Sequence, residues 1–400
     1  MNPLATYFRN LYEIYSTGAG VKETSYYGTL ETLLNDVGKT LKPKVRCIIN
    51  LKNKGAGLPD GGLFTANQFR KNKDGEPFNS IYPERGVIEI KGTKEDVNKI
   101  ADGEQVVRYW EKYRQVLVTN YREFLLVGED KNGNRVKLES YSFADNEKDF
   151  WISLSQPQQL IEQESDRFLE YLRRITLSVT SLTSPEDVAW FLASYAKDAK
   201  SRIEQQTNLP ALQSIRTALE EALGITFEGD KGDRFFRSTL IQTLFYGIFS
   251  AWVLWHKENP NREDNFDWRT AVYYLHVPMI QAIFERIAAP SKLKALDLVE
   301  VLNWTGSALN RVRREDFFTQ FDEGEAVQYF YEPFLQAFDP QLRKELGVWY
   351  TPKEIVQYMV SRVDTVLKEE LHIEDGLADD NVYILDPLSR RKTLKSFPNH

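Results

Sequence analysis

Arg85-Gly-Val-Ile-Glu-Ile-Lys-Gly92 constrains this chain more than any other stretch, because it sets an acid and a base inside what reads as a core strand. Val87, Ile88 and Ile90 are β-branched and glycines bound the run, which predicts a short strand. Side chains alternate along a strand, so Glu89 and Lys91 share one face while Ile88 and Ile90 fill the other. Gly57-Leu-Pro-Asp-Gly-Gly-Leu-Phe64 brings a second acid, Asp60, with Pro59 before it and Gly61 and Gly62 after it to allow a sharp turn. Burying neighbouring carboxylates is costly unless a cation joins them. Asp60, Glu89 and Lys91 on one spot therefore point to a hard divalent ion with room for phosphate oxygens.

Pro-Asp, a spacer, then Glu-x-Lys resembles the PD-(D/E)xK nuclease core, carried here by Pro59, Asp60, Glu89 and Lys91. The bland alternative is a turn aspartate followed by an edge strand with a solvated polar face. The surroundings match the family's order. Tyr26 to Val37 has helical spacing, with Leu30, Leu33, Leu34 and Val37 apolar. Glu31 borders that helix's buried face, where the family often supplies a further acid. Gln105 and Tyr109 are four apart on the next predicted helix, which resembles a Gln-x-x-x-Tyr accessory motif of this superfamily. Phe124 to Val127 and Val136 to Tyr141 read as a hairpin around Asn132-Gly133.

Composition bounds the partners. With 400 residues, 42% apolar and 27% charged, the chain reads as a soluble globular protein of two or three domains. A net charge of -7 leaves DNA affinity to local patches. One such patch is Lys39, Lys42, Lys44, Arg46, Lys52 and Lys54, which have no acid among them and precede Asp60; a solvated loop face is the alternative. The single cysteine, Cys47, excludes an internal disulfide or a multi-cysteine zinc site and fits a reducing, cytoplasmic location. No signal peptide is evident at the N-terminus. Ser238 to Trp255 is uncharged and long enough to span a membrane, but Gln242, Thr243, Gly247 and Ser250 favour a buried helix. Gly38-Lys39-Thr40 lacks the first glycine of a phosphate-binding loop, and no metalloprotease, α/β-hydrolase or dinucleotide motif occurs.

Leu4, Tyr7, Phe8, Leu11 and Ile14 predict an amphipathic N-terminal helix. From about 155 to 340 the reading is helical, with segments near 159–175, 184–206, 210–223, 235–257, 269–287 and 324–337. Trp190, Phe191, Tyr195, Trp252, Trp255, Tyr273 and Tyr274 are read as packing residues, and His256 and His276 lack ligand-like neighbours. Tyr350-Thr-Pro352 then leads into a helix from Lys353 to about Glu370, and Val382 to Pro387 reads as a buried strand ending in a turn. These last residues resemble the start of an N6-adenine DNA methyltransferase. With Tyr246-Gly-Ile-Phe249, the Phe330 to Phe334 stretch and the nuclease motifs, the whole resembles single-chain restriction-modification proteins of the type IIG, IIL or ISP kind.

The resemblance implies an α/β nuclease core with a mixed central sheet flanked by helices, then an all-α connector, then the truncated start of an α/β methyltransferase. The corresponding ranges are 1–152, 153–340 and 341–400. After Asp386-Pro387 the family calls for a glycine-rich loop and later an Asn-Pro-Pro-aromatic tetrapeptide. Leu388 to His400 has neither, as a frameshift or premature stop would leave it. S-adenosylmethionine and adenine methylation are therefore expected only of a full-length parent.

For the nuclease part the resemblance implies Mg2+-dependent hydrolysis of double-stranded DNA, leaving a 5'-phosphate and a 3'-hydroxyl. Asp60, Glu89 and the Ile90 carbonyl would hold the metal, and Lys91 would orient water or offset charge. Glu31, Gln105 and Tyr109 would assist, and a dimer or partner subunit would serve double-strand cleavage. The competing expectation is a non-catalytic remnant that binds DNA or a partner.

Overall fold

The structure, a computed structural model, describes residues 2–21, 23–52, 55–71, 82–178, 182–205, 210–259, 264–321, 330–341 and 353–384. The chain divides into two compact units, Met1–Leu342 and Arg343–His400. The first is mixed α/β in its N-terminal part and mostly helical afterwards.

It opens with α1 (Pro3–Ser16), whose start is fixed by Asn2 accepting from the Leu4 N–H and by Pro3 in the first turn. Leu4, Tyr7, Phe8 and Leu11 are its buried stripe. After α2 (Tyr27–Gly38) come β1 (Val45–Ile49), β2 (Gly61–Thr65), α3 (Ala66–Lys71) and β3 (Val87–Ile90). Then α4 (Val97–Ala101) and α5 (Glu104–Tyr113) lead to β4 (Val116–Thr119), β5 (Glu123–Glu129) and β6 (Arg135–Ser142). The six strands form one sheet in chain order. Only β3 and β4 run parallel, and a parallel pair needs a crossover, which α4 and α5 supply.

The two faces of β3 separate as the alternation predicts. Ile88 and Ile90 join Leu63, Leu117, Phe124 and Leu126 in a core roofed by α1, α2, α6 (Glu147–Ser155) and α7 (Gln158–Leu177). Val87 joins Val116, Val118, Leu125 and Val127 under α4 and α5, with Val106 and Tyr109. The edge strand β1 is closed by α2: Asn35 accepts from the Cys47 N–H at 3.0 Å and donates to its carbonyl at 3.2 Å. Phe168, Tyr171, Leu172 and Ile175 put most of α7 in the core over the sheet, so the packing of the sheet layer runs some 25 residues past the boundary expected at 152.

The helical remainder comprises α8 (Pro185–Glu204), α9 (Pro210–Leu223), α10 (Gly229–Glu258), α11 (Pro278–Ile287), α12 (Pro290–Ala295), α13 (Val299–Asn310), α14 (Arg314–Gln320) and α15 (Glu332–Phe338). By length and composition α10 could cross a membrane, but 67% of its apolar window is buried in the fold, as a core helix requires. The helix expected over 269–287 is two pieces. A 3-10 turn, Trp268–Tyr274, precedes α11, because Pro278 holds Val277 extended. Three-residue spacing buries Trp268 and Ala271 and leaves Tyr273 75% exposed, against the packing role expected of it. Phe191, Tyr195, Trp252 and Trp255 do pack in the core. His256 stacks on Phe318 and His276 bonds Glu258. Residues 324–329 of the last expected helix lie outside those described.

A buried ion network ties the sheet to the helices. Arg174 on α7, fully enclosed, meets Glu139 of β6 at 3.0 Å and Asp198 of α8 at 3.2 Å. Arg202 reaches Asp198 at 2.8 Å and, at the rim, Asp297 and Glu300 at 3.0 Å each.

In the second unit, α16 (Lys353–Thr365) continues through a π-helical turn, Val366–Glu370. The strand expected from Val382 is not formed over its described part: residues 382–384 are irregular and Tyr383 and Ile384 are 76% and 53% exposed. A strand needs a partner to take its backbone hydrogen bonds, and none pairs there among the described residues. Residues 385–400, including Asp386-Pro387, are outside those described.

Candidate metal and acid site

Antiparallel pairing sets Gly61 opposite Ile88 and Gly62 opposite Val87, so continuing the register places Asp60 beside Glu89. The glycines serve a different purpose from the turn expected of them: both lie within β2. A Cβ at Gly61 would sit 2.9 Å from Ile49 Cδ1, and one at Gly62 2.7 Å from Leu51 Cδ1. Close packing of β2 against its neighbours, rather than a bend, demands them.

Asp60 is held at both oxygens. Its Oδ2 accepts from the Ile90 N–H at 2.7 Å, and its Oδ1 from the Tyr27 hydroxyl at 2.7 Å. Glu89 is 1% exposed. Its Oε1 accepts from Lys91 Nζ at 2.5 Å and its Oε2 from Gln105 at 3.2 Å. Lys91 also donates to the Ile90 carbonyl at 3.1 Å, and Gln105 to the Tyr109 hydroxyl at 2.9 Å. Gln105 and Tyr109 thus meet on one side of α5, as their spacing predicts. The loop before Asp60 is pressed onto this pair: Gly57, at φ +113, would place a Cβ 3.3 Å from the Tyr109 ring.

The electrostatics are those of an under-neutralised anionic cluster. Burial, the largest influence, pushes Glu89 from 4.5 up to about 7; Lys91 opposes the shift, and Asp60 and Glu23 add to it. Lys91 is raised because Glu89, with Asp60 and Glu23, outweighs the burial that would lower it. Burial and the hydrogen bond to Asp60 hold the Tyr27 hydroxyl above its ordinary range, so it remains a proton donor.

Among the described residues no group of three or more His, Cys, Asp or Glu gathers as a metal site. The donors here are two carboxylates and a carbonyl. Lys91 provides the test of fit: its ammonium already touches Glu89 Oε1 and the Ile90 oxygen, so one cation can reach both. Each carboxylate accepts two hydrogen bonds and keeps lone pairs free. All-oxygen donors with few protein ligands suit Mg2+, which retains waters and takes substrate phosphates. The residues fit the ion.

Glu31 is placed differently from expectation. It is half-buried one turn beyond Tyr27, and its charge acts on Cys47; no hydrogen bond or ion pair joins it to Asp60, Glu89 or Lys91. The acid that acts on the cluster is Glu23, whose Oε1 lies 3.3 Å from the Tyr27 hydroxyl. Neither Glu23 nor Tyr27 carries a local signature, and Tyr27 meets Asp60 across 33 residues.

The basic set is split by β1. Val45 pairs with Thr65 at one end and Ile49 with Gly61 at the other, so Lys42 and Lys44 lie a strand length, about 16 Å, from the Asp60 end. Lys39 pairs with Asp36 at 3.0 Å. Arg46 points outward from mid-strand, and Lys52 is exposed near the Asp60 end. Lys54 lies outside the described residues. A cavity of about 550 Å3, lined among others by Lys42, Arg85, Glu170, Arg173, Glu186 and Trp190, opens at the Arg85 end of β3, and neither Asp60 nor Glu89 lines it.

No protein-family model and no curated protein matches this chain. Among solved structures, it is similar to a chain in the cryo-EM structure of a DrdV–DNA complex, at 20% identity and a TM-score of 0.31, over 97% of this chain and 33% of that one. The chain therefore spans about a third of the length of the protein it matches.

Proposed function

We propose that the sheet region is a Mg2+-dependent DNA endonuclease module, followed by a helical connector and the start of a methyltransferase-like region, working in the cytoplasm of its host. What supports the reading is Glu89, buried in a core strand and under-neutralised, with Asp60 beside it and Lys91 in contact. Two adjacent carboxylates with a single lysine in contact leave negative charge that a divalent cation would neutralise.

In this reading Asp60, Glu89 and the Ile90 carbonyl would hold the metal. The metal, when bound, would polarise a phosphate oxygen and acidify a water. The Ile90 N–H and the Tyr27 hydroxyl orient Asp60. Gln105, braced by Tyr109, orients Glu89. Lys91, released from Glu89, places a positive charge where the phosphorane gains negative charge and can hold the attacking water. Lys52 and Arg46 would contact the DNA backbone along the β1 edge.

Incubation with plasmid and Mg2+ tests this. Wild type should nick or linearise DNA, while Asp60→Ala or Lys91→Ala should lose on the order of 10³-fold in rate with an unchanged circular dichroism spectrum. Undiminished cleavage by either variant removes the mechanism. A second reading is a module that binds DNA or a partner without cutting. It draws on Lys91 itself, whose ammonium already satisfies Glu89 and the Ile90 carbonyl. DNA binding without metal-dependent cleavage would select it.

A further inference from the structure

A phenolic hydroxyl has one proton to give, yet the Tyr27 hydroxyl faces two carboxylates, Asp60 Oδ1 at 2.7 Å and Glu23 Oε1 at 3.3 Å. The shorter contact takes the proton. Three acids, Glu23, Asp60 and Glu89, then act on one ammonium, that of Lys91, and the Tyr27 hydroxyl contacts both Glu23 and Asp60. Both of its neighbours are anchored. Glu23 is fixed through its carbonyl, which accepts from the Tyr121 hydroxyl at 2.5 Å, and Tyr121 is fully buried. Asp60 is fixed by the Ile90 N–H.

We propose that Tyr27 is a positioning residue for the cation site: its hydroxyl clamps Asp60 in the orientation that faces Glu89 and separates it from the repelling charge of Glu23. This rests on the metal reading above. Tyr27 is 9% exposed, and phenylalanine keeps its packing while removing only the clamp. Without the hydroxyl, Oδ1 of Asp60 loses its donor, the Glu23 charge acts on it directly, and Asp60 is free to rotate off the Ile90 N–H.

Mn2+ binding to the full chain without DNA, followed by calorimetry, provides the test. Tyr27→Phe should weaken Mn2+ affinity about tenfold or more, a hydrogen bond to a charged group being worth roughly that. Adding Glu23→Gln to Tyr27→Phe should restore a good part of the loss, because the unclamped Asp60 is then no longer repelled. A purely structural tyrosine would not be rescued by removing a neighbouring charge. Unchanged Mn2+ affinity in Tyr27→Phe, or no rescue by Glu23→Gln, overturns the proposal. Glu89→Gln separates the two levels: if it abolishes Mn2+ binding while Tyr27→Phe leaves it intact, the metal site stands and only the clamp falls. If wild type binds no Mn2+, both fall.

Discussion

Two places in this protein bury carboxylates, and they treat them in opposite ways. In the network between sheet and helices, burial would push Asp198 up, but Arg202, Arg174 and Arg167 outweigh it and hold it below its ordinary value. Glu170 nearby is likewise held down by Lys197, Arg173 and the Ser194 hydroxyl. At the strand ends, Glu89 has one lysine against its own burial and two further acids, and it is pushed up to about 7. The geometry of the cations explains the difference. Arginine's fork satisfies two acids at once and stays charged when enclosed, as Arg174 does with Glu139 and Asp198. A lysine on a mobile stem, here 32% exposed, can leave. The first arrangement is complete without a ligand; the second gains by acquiring a cation.

That contrast can be broken in three places. Asp198→Ala should cost the most, about 3–5 kcal/mol of unfolding free energy, since it removes the buried acid that Arg174 and Arg202 share; chemical denaturation measures it, and a loss below 1 kcal/mol would mean the network is not the joint between sheet and helices. The stability that Asp198 contributes is present above the ordinary aspartate range and is lost as pH falls through its lowered folded value.

Glu89→Gln should act in the other direction. A raised carboxylate favours the folded state fully below about 4.5 and loses that advantage as pH rises through about 7. The variant should therefore lose less stability than wild type between pH 4 and pH 8, by up to about 3 kcal/mol. Added Mg2+ should raise the melting temperature of wild type at pH 8 and not that of Glu89→Gln. A wild type that is stabilised on going from pH 6 to pH 8 without metal contradicts the assignment. Smallest is Glu300→Gln: its side chain is 52% exposed, and a solvated rim partner should change stability by only a few tenths of a kcal/mol. A loss comparable to that of Asp198→Ala would extend the closed network to the surface.

Much of the site was legible from the residues. Alternation along Val87 to Lys91 assigned the faces of β3 correctly because a strand's period is a local, covalent property. Gln105 and Tyr109 followed from helical periodicity for the same reason. Gly61 and Gly62 were misread because the pressure on them comes from Ile49 and Leu51, which reach them only once β1 is paired. The basic run was read as one patch because its residues are neighbours in sequence, whereas β1 carries them to opposite ends of a strand. Pro278 divides 269–287, because it holds Val277 extended and starts a new helix.

By itself, then, the sequence determined helices α1 and α2, the β5–β6 hairpin, the placing of acid and base on one face of β3, and the burial of α10, since each depends on propensity and periodicity within a few residues. Only the tertiary structure decided that Asp60 stands beside Glu89, that Tyr27 and Glu23 rather than Glu31 complete the cluster, and that Arg174 closes the joint to the helices. Those are matters of register and packing between segments tens of residues apart, where side-chain charge is balanced or left unbalanced by neighbours that no local pattern records.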